Sequence, residues 1–285
     1  MNTNAVKTEA FFLPSSELPG EQRFCIYHSP QGAAVRALIV YVHPFGEEMN
    51  KSRRMAALQA RALAASGCAV LQIDLRGCGD SSGDFGDATW SAWVDDVVQA
   101  SRWLQTKSQA RASAPLWFWG LRAGCLLAAE AGRRLATPCN FLFWQPPAAG
   151  KPLLQQFLRL KLAGDMLAGK GVMEALRQQL AAGSSIEIAG YALGAELANG
   201  LEGAKLVPPP IVGRVEWIEL SSRPDATILP ASQPALAHWQ AAGWSVRSMV
   251  ARGPAFWQTV EIEEAPALIE ATLAAIEPVH ELVAA

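Results

Sequence analysis

The chain of 285 residues is 51% apolar, enough for one large α/β domain with a small insertion and a substantial buried core. Its 24 basic and 26 acidic residues leave a formal charge of -2, which offers no electrostatic footprint for nucleic acid or an anionic membrane surface. The five cysteines (Cys25, Cys68, Cys78, Cys125 and Cys139) are scattered, odd in number and without a CxxC pair, which argues against a disulfide framework and a zinc site. Reduced thiols in the cytoplasm are the expectation. The opening MNTNAVKTEAFFLP lacks a basic stretch followed by a long apolar one, and no run of eighteen apolar residues occurs, so no transmembrane segment is expected.

In chain order, the apolar, β-branched run 37–42 (ALIVYV) predicts a buried strand that enters the turn-prone His43-Pro44-Phe45-Gly46. Apolar positions at helical spacing over 52–65 end at Ser66-Gly67, and 68–75 predicts a second buried strand before a glycine-rich loop. The rhythm repeats with a helix over 90–105, a strand over 116–119, an Ala/Leu-rich helix reaching Arg134 and a strand over 141–144. Alternating helices and continuously apolar strands predict a doubly wound, mostly parallel sheet whose ligand site lies at the carboxyl ends of the strands. From Pro146 the pattern changes to amphipathic stretches over 153–167 and 172–182, a glycine-rich segment and Pro208-Pro209-Pro210, which reads as an inserted helical cap. Strands resume at 215–220 and 245–250, and an apolar helix over 266–276 follows. The division expected is a core of 1–146 and 214–285 interrupted by a cap of 147–213.

The segment with the most chemical content is Phe118-Trp119-Gly120-Leu121-Arg122-Ala123-Gly124, a strand passing through a tight turn into a helix. Its frame matches the nucleophile elbow G-x-S-x-G, whose glycines permit a strained turn that lifts the central side chain over the site. Here that residue is Arg122, whose guanidinium stays protonated and neither attacks a carbonyl nor serves as a general base at neutral pH. Cys125, on the following helix, is the alternative thiol nucleophile, although a small cysteine on an Ala/Leu helix is more often core. Glu47 and Glu48 beside His43 are candidates to activate a water, while Ser81 and Ser82 belong to a loop. No cofactor or metal site is expected.

Two further segments, Asp74-Leu75-Arg76-Gly77-Cys78-Gly79-Asp80-Ser81 and His43-Pro44-Phe45-Gly46, stand in the order and at the distances of α/β-hydrolase loops. The chain resembles the α/β-hydrolase superfamily over essentially its whole length. The stretches HPFGEEMNKSRR, DLRGCGDSSG and GLRAG resemble the exosortase A system-associated hydrolase 2 group, named for bacterial genomes with exosortase sorting and exopolysaccharide functions. The resemblance places the nucleophile position at Arg122, the acid on or near Asp225 and the histidine around Gly253-Pro254-Ala255-Phe256-Trp257, where none stands. His28, His238 and His280 then read as structural or surface residues.

On the same resemblance, the amides of Ala123 and Phe45 correspond to the oxyanion-hole donors, and Arg122 would add a full charge beside them. Such a site suits a carboxylate or phosphate, with His43, Phe45, Glu47, Glu48, Arg122 and Ala123 as contacts, and the partner expected is an anionic or acyl small molecule. Against this stands internal neutralisation of Arg122 by Glu47, Glu48 or Asp225. The expected function is a hydrolase-fold protein without Ser-His-Asp chemistry, binding an anionic small molecule or a protein partner of the exosortase or exopolysaccharide pathway. The alternative is an active hydrolase or acyltransferase acting on an ester or thioester with an unconventional nucleophile.

Overall fold

The computed structural model describes residues 6–32, 34–108, 114–164 and 171–277, with the side chains of 162–164 left aside. Two strands not expected from the sequence come first: β1 (Thr8–Pro14) and β2 (Gln22–His28), paired antiparallel. Along β2 the buried positions alternate through Arg23, Cys25 and Tyr27, so a charged residue holds an inward place in the pattern.

The expected βαβ rhythm follows in β3 (Ala37–Val42), α1 (Glu47–Ala65), β4 (Cys68–Ile73), α2 (Trp90–Lys107), β5 (Leu116–Leu121), α3 (Ala123–Leu135) and β6 (Asn140–Trp144). Helix α1 begins five residues earlier than its apolar spacing implies. Gly46, at φ 57°, turns the chain, and Glu47 and Glu48 occupy the first turn, where the helix dipole favours negative charge. Between β6 and the next core strand lie α4 (Lys151–Gly164), α5 (Val172–Ala181), β7 (Ile186–Ile188), β8 (Tyr191–Leu193) and α6 (Ala195–Gly203). This segment is therefore not all helical: β7 and β8 form an antiparallel hairpin in its glycine-rich stretch. The part of the predicted helix 153–167 beyond residue 164 lies outside the described residues, as does His280.

The chain returns to the core with β9 (Arg214–Ser221), α7 (Gln233–Ala241), β10 (Ser245–Arg252) and α8 (Pro266–Ile276). The sheet order is β1-β2-β4-β3-β5-β6-β9-β10, parallel from β4 through β10, with β1 and β2 antiparallel at one edge. Strands β3 and β5 are buried along their whole length because both sheet faces are covered, which explains their unbroken apolar sequence. Helices α2, α3 and α7 pack on one face, and α1 and α8 on the other. All five cysteines are buried and free. No helix among the described residues is long and apolar enough to cross a membrane.

One core position is ill matched. Gln59 of α1 is fully buried, and neither Oε1 nor Nε2 has a partner among the described residues. A buried amide left unmatched costs about 1–3 kcal/mol, so Gln59→Met, similar in shape and free of that demand, is expected to raise the unfolding free energy by about 1 kcal/mol in urea denaturation. An unchanged or lowered midpoint would show that the amide is satisfied.

Candidate functional site

Strand β5 ends in a turn whose centre is Arg122, at φ 54° and ψ -119°. This is a conformation that side-chain-bearing residues rarely adopt, costing about 1–3 kcal/mol. Its surroundings enforce it. The Arg122 amide donates to the Trp144 carbonyl at 3.0 Å, and the Cys125 amide donates to the Arg122 carbonyl at 3.0 Å. A Cβ on Gly120 would lie 2.6 Å from the Cys125 nitrogen, and one on Gly124 would lie 2.1 Å from the Val42 carbonyl oxygen. Both glycines are thus required by backbone-to-backbone contact, and the predicted elbow is formed with Arg122 at its tip.

The Arg122 side chain leans onto α1. Its Nη2 donates to Glu48 Oε1 at 3.1 Å and to Gln156 Oε1 of α4 at 2.9 Å, while Nε shares Glu48 Oε1 at 3.3 Å and Oε2 at 3.4 Å. The guanidinium carbon stands 5.8 Å from the centre of the Trp257 ring, within cation–π range. The two side chains of the ion pair retain only 14% and 19% of their surface, so the pair is scarcely hydrated. Burial raises the Glu48 carboxyl above the ordinary glutamate value of 4.5, and the charge and hydrogen bonds of Arg122 act in the opposite direction. Of the three acids considered as neutralising partners, Glu48 fills the role.

Asp225 lies exposed in the loop after β9, and the side-chain hydrogen bonds of Arg122 go elsewhere. The buried acid of that region is Glu219, which accepts from Trp217 Nε1 at 3.0 Å, Ser232 Oγ at 2.5 Å and the Leu229 amide at 2.7 Å. It fastens the far end of the loop that carries Asp225. Trp257, in the segment after β10 where the resemblance places a histidine, stands beside Arg122.

His43 is also withdrawn. It is buried, its Nδ1 is 2.8 Å from the Pro44 carbonyl, and its Nε2 accepts from the Leu75 amide at 3.2 Å. Those two bonds define the neutral ring, and burial holds its pKa low. His43 thus locks the loop to the end of β4 and, instead of the elbow pocket, lines a cavity on the other flank of α1. His28 bridges Thr8 and Gln72 across β1, β2 and β4, and His238 is exposed on α7. Cys125 is fully buried, its Sγ lies 3.6 Å from the Trp144 carbonyl oxygen, and burial pushes its thiol well above the ordinary range. A thiol in that state supplies no thiolate at neutral pH. Ser81 Oγ donates to the Asp74 carbonyl and accepts from the Phe24 amide, while Ser82 Oγ accepts from the Gln22 amide, so both serines bind the loop to β2.

Beside the elbow opens a pocket of about 250 Å³ whose walls include Phe45, Leu153, Phe157, Leu160 and Trp257, with Glu47, Glu48 and Lys51 as its ionisable lining. Phe45 and Phe157 meet edge to face at 4.9 Å. Glu47 accepts from Tyr191 Oη at 3.0 Å and from Asn50 Nδ2 at 2.9 Å, which joins the β7–β8 hairpin to the start of α1. Lys51 Nζ donates to the Thr259 carbonyl at 2.5 Å. Ala123 is buried beneath the elbow, and neither its amide nor that of Phe45 donates to any described residue. Structure thus gathers Phe45, Glu47, Glu48 and Arg122 and adds Gln156, Phe157 and Lys51, which no motif in the sequence marked.

A doubly wound sheet with an elbow after its central strand defines an α/β hydrolase. The chain belongs to the serine aminopeptidase family S33 of hydrolases, whose model matches residues 33–180. Among solved structures, it is similar to a soluble variant of the monoglyceride lipase of Saccharomyces cerevisiae in complex with a substrate analog. That likeness has 14% identity and a TM-score of 0.63, and covers 97% of this chain and 96% of the lipase. A highly thermostable carboxyl esterase from Bacillus coagulans matches at 14% identity and a TM-score of 0.62, covering 95% of this chain and 99% of its own. The hyperthermophilic esterase from Pyrobaculum calidifontis matches at 14% identity and a TM-score of 0.61, covering 95% and 85%. At such identities the likeness is one of fold. No curated protein sequence matches the chain.

Proposed function

We propose that this protein is an α/β hydrolase by fold that binds an acyl or other apolar small molecule in the pocket beside the elbow, without Ser-His-Asp catalysis. The observation that carries this reading is the residue at the elbow tip: Arg122, charged, ion-paired to Glu48 and set against Trp257. A guanidinium held in this way has no nucleophilic electron pair to offer, and an indole accepts no proton from one. An anionic ligand head is less well matched than the sequence suggested, because Glu48 already supplies the counter-charge and Glu47 also lines the pocket. The apolar walls favour the acyl part of the expected ligand class. The link to an exosortase or exopolysaccharide process, the cytoplasmic location and a core split by a cap over 147–213 remain part of this proposal and rest on the sequence.

Family membership supports a second reading, hydrolysis by a water that Glu48 activates from the pocket wall. One experiment separates the two. Purified protein is given p-nitrophenyl butyrate and, separately, titrated with octanol while tryptophan fluorescence is followed, with Trp257→Phe as the reporter control. The binding reading expects saturable fluorescence change in the wild type, at least halved in Trp257→Phe, and no ester turnover above buffer. Turnover that disappears in Glu48→Gln would establish the second reading, and absence of both signals would remove the first.

A further inference from the structure

The Asp74-to-Ser81 loop motif plays no part at the elbow, yet it frames a second cavity on the other flank of α1. The register aligns Ile26 of β2 with Gln72 of β4, and Gln72 with Tyr41 of β3, so three neighbouring side chains form one row on one face of the sheet. Above that row α1 presents Met49, Arg53 and two alanines, and the space between helix and sheet amounts to about 180 Å³. Gly79 of the motif closes against the polar end: a Cβ there would lie 1.9 Å from Asp74 Oδ2 and 2.5 Å from Arg53 Nη2.

The polar groups of this cavity are only partly used. Tyr41 is 5% exposed, and its hydroxyl has no hydrogen-bond partner among the described residues. Arg53, whose side chain is 44% exposed at the cavity mouth, donates from Nη2 to Asp74 Oδ2 at 3.0 Å and approaches Met49 Sδ at 3.9 Å, while Nε and Nη1 have no partner among the described residues and are open to solvent or a ligand. Gln72 Oε1 accepts from His28 Nε2 at 2.9 Å, which leaves the Gln72 amide N–H groups without a partner among the described residues. Asp74 Oδ2 also accepts from the Asp80 amide at 3.3 Å, and Oδ1 is left as an acceptor.

The unused set therefore contains donors from a guanidinium and an amide, an acceptor from a carboxylate, and a hydroxyl that does both. An anion would add a second carboxylate-like charge beside Asp74, and a cation would face Arg53. Neutral hydroxyl groups avoid both conflicts, because each donates to Asp74 while accepting from Arg53 or Gln72. At roughly 30 Å³ per water, the volume equals about six waters, the scale of a small polyol or a monosaccharide. We infer that the cavity between α1 and the row Ile26-Gln72-Tyr41 is a binding site for a small neutral polyol or monosaccharide, separate from the elbow pocket.

Saturation-transfer NMR on the full chain tests this with glycerol, D-mannose and D-galactose, and with acetate and ethylammonium as charged comparators. At least one hydroxylated probe is expected to show transfer in the wild type that neither charged comparator shows. Tyr41→Phe, which deletes only the unpartnered hydroxyl, is expected to weaken that binding at least tenfold without lowering the thermal midpoint of the ligand-free protein. Trp257→Phe, in the elbow pocket, is expected to leave it unchanged. Failure of all three hydroxylated probes, equal binding by Tyr41→Phe, loss of the signal in Trp257→Phe, a lowered ligand-free midpoint in Tyr41→Phe, or preference for acetate would each overturn the assignment.

Discussion

Replacing Arg122 by alanine is expected to destabilise the protein by about 2–3 kcal/mol at pH 7.5 or so, because it strands the Glu48 carboxylate in a nearly dry pocket. The figure lies below that for a fully buried pair since both side chains keep some contact with solvent. The pH dependence gives the loss its signature. Glu48 already titrates above its ordinary 4.5 in the folded protein, so its contribution is fully present below that value and is lost as pH rises through the folded pKa. Without Arg122 the folded pKa climbs further, and the loss reaches to higher pH. The gap between wild type and Arg122→Ala should widen with rising pH and narrow toward pH 4.5, as read by urea denaturation across that range. A gap that stayed constant would mean that the arginine stabilises by packing on Trp257 alone.

A larger loss, about 3–5 kcal/mol near neutral pH, is expected for Arg23→Met, on the far side of the sheet. Arg23 is 1% exposed; its Nε donates to Asp96 Oδ1 at 2.7 Å, and its Nη1 donates to Glu21 Oε2 at 3.1 Å. Asp96 also accepts from the Arg76 amide at 2.8 Å, so the carboxylate joins β2, α2 and the loop after β4. Even with that company, burial pushes Asp96 up to about 6, from 3.8. A carboxyl raised in the folded state favours folding fully below 3.8, and that advantage is lost as pH rises through about 6. Removing its cation shifts the loss upward again, so Arg23→Met should suffer most above pH 6 and recover part of the deficit at pH 4 to 5. A deficit that grew on acidification would contradict this account.

The core from β3 onward was legible because strands covered on both faces are written as unbroken apolar runs, and ALIVYV needs no partner to be recognised. The first two strands were not, since β2 places Arg23 at an inward position where a pattern of hydrophobicity expects none. Only the later contact with Asp96 makes sense of it. At the candidate site, Arg122 and Glu48 could be named from motifs because the elbow and the loop before α1 have fixed local forms. The contacts of Gln156 and Trp257 with Arg122 could not be read from the sequence, as they reach it from α4 and from beyond β10, and nothing local in either segment records that approach. For His43 and Asp225 the same limit applies: proximity to a motif says which loop a residue is on, and only tertiary packing decides that His43 turns to the cavity behind α1 and that Asp225 lies exposed.

The bend at Arg122 has a bearing on how such a fold changes its occupation. Its backbone angles are imposed by Gly120, Gly124 and the carbonyl of Val42, none of which refers to the side chain at the tip. Shape and reactivity are therefore inherited separately: the scaffold must keep two glycines to fold at all, while the position between them can be reassigned by a single substitution. What a new residue there must answer to is the lining that the present one engages, Glu48, Gln156 and Trp257.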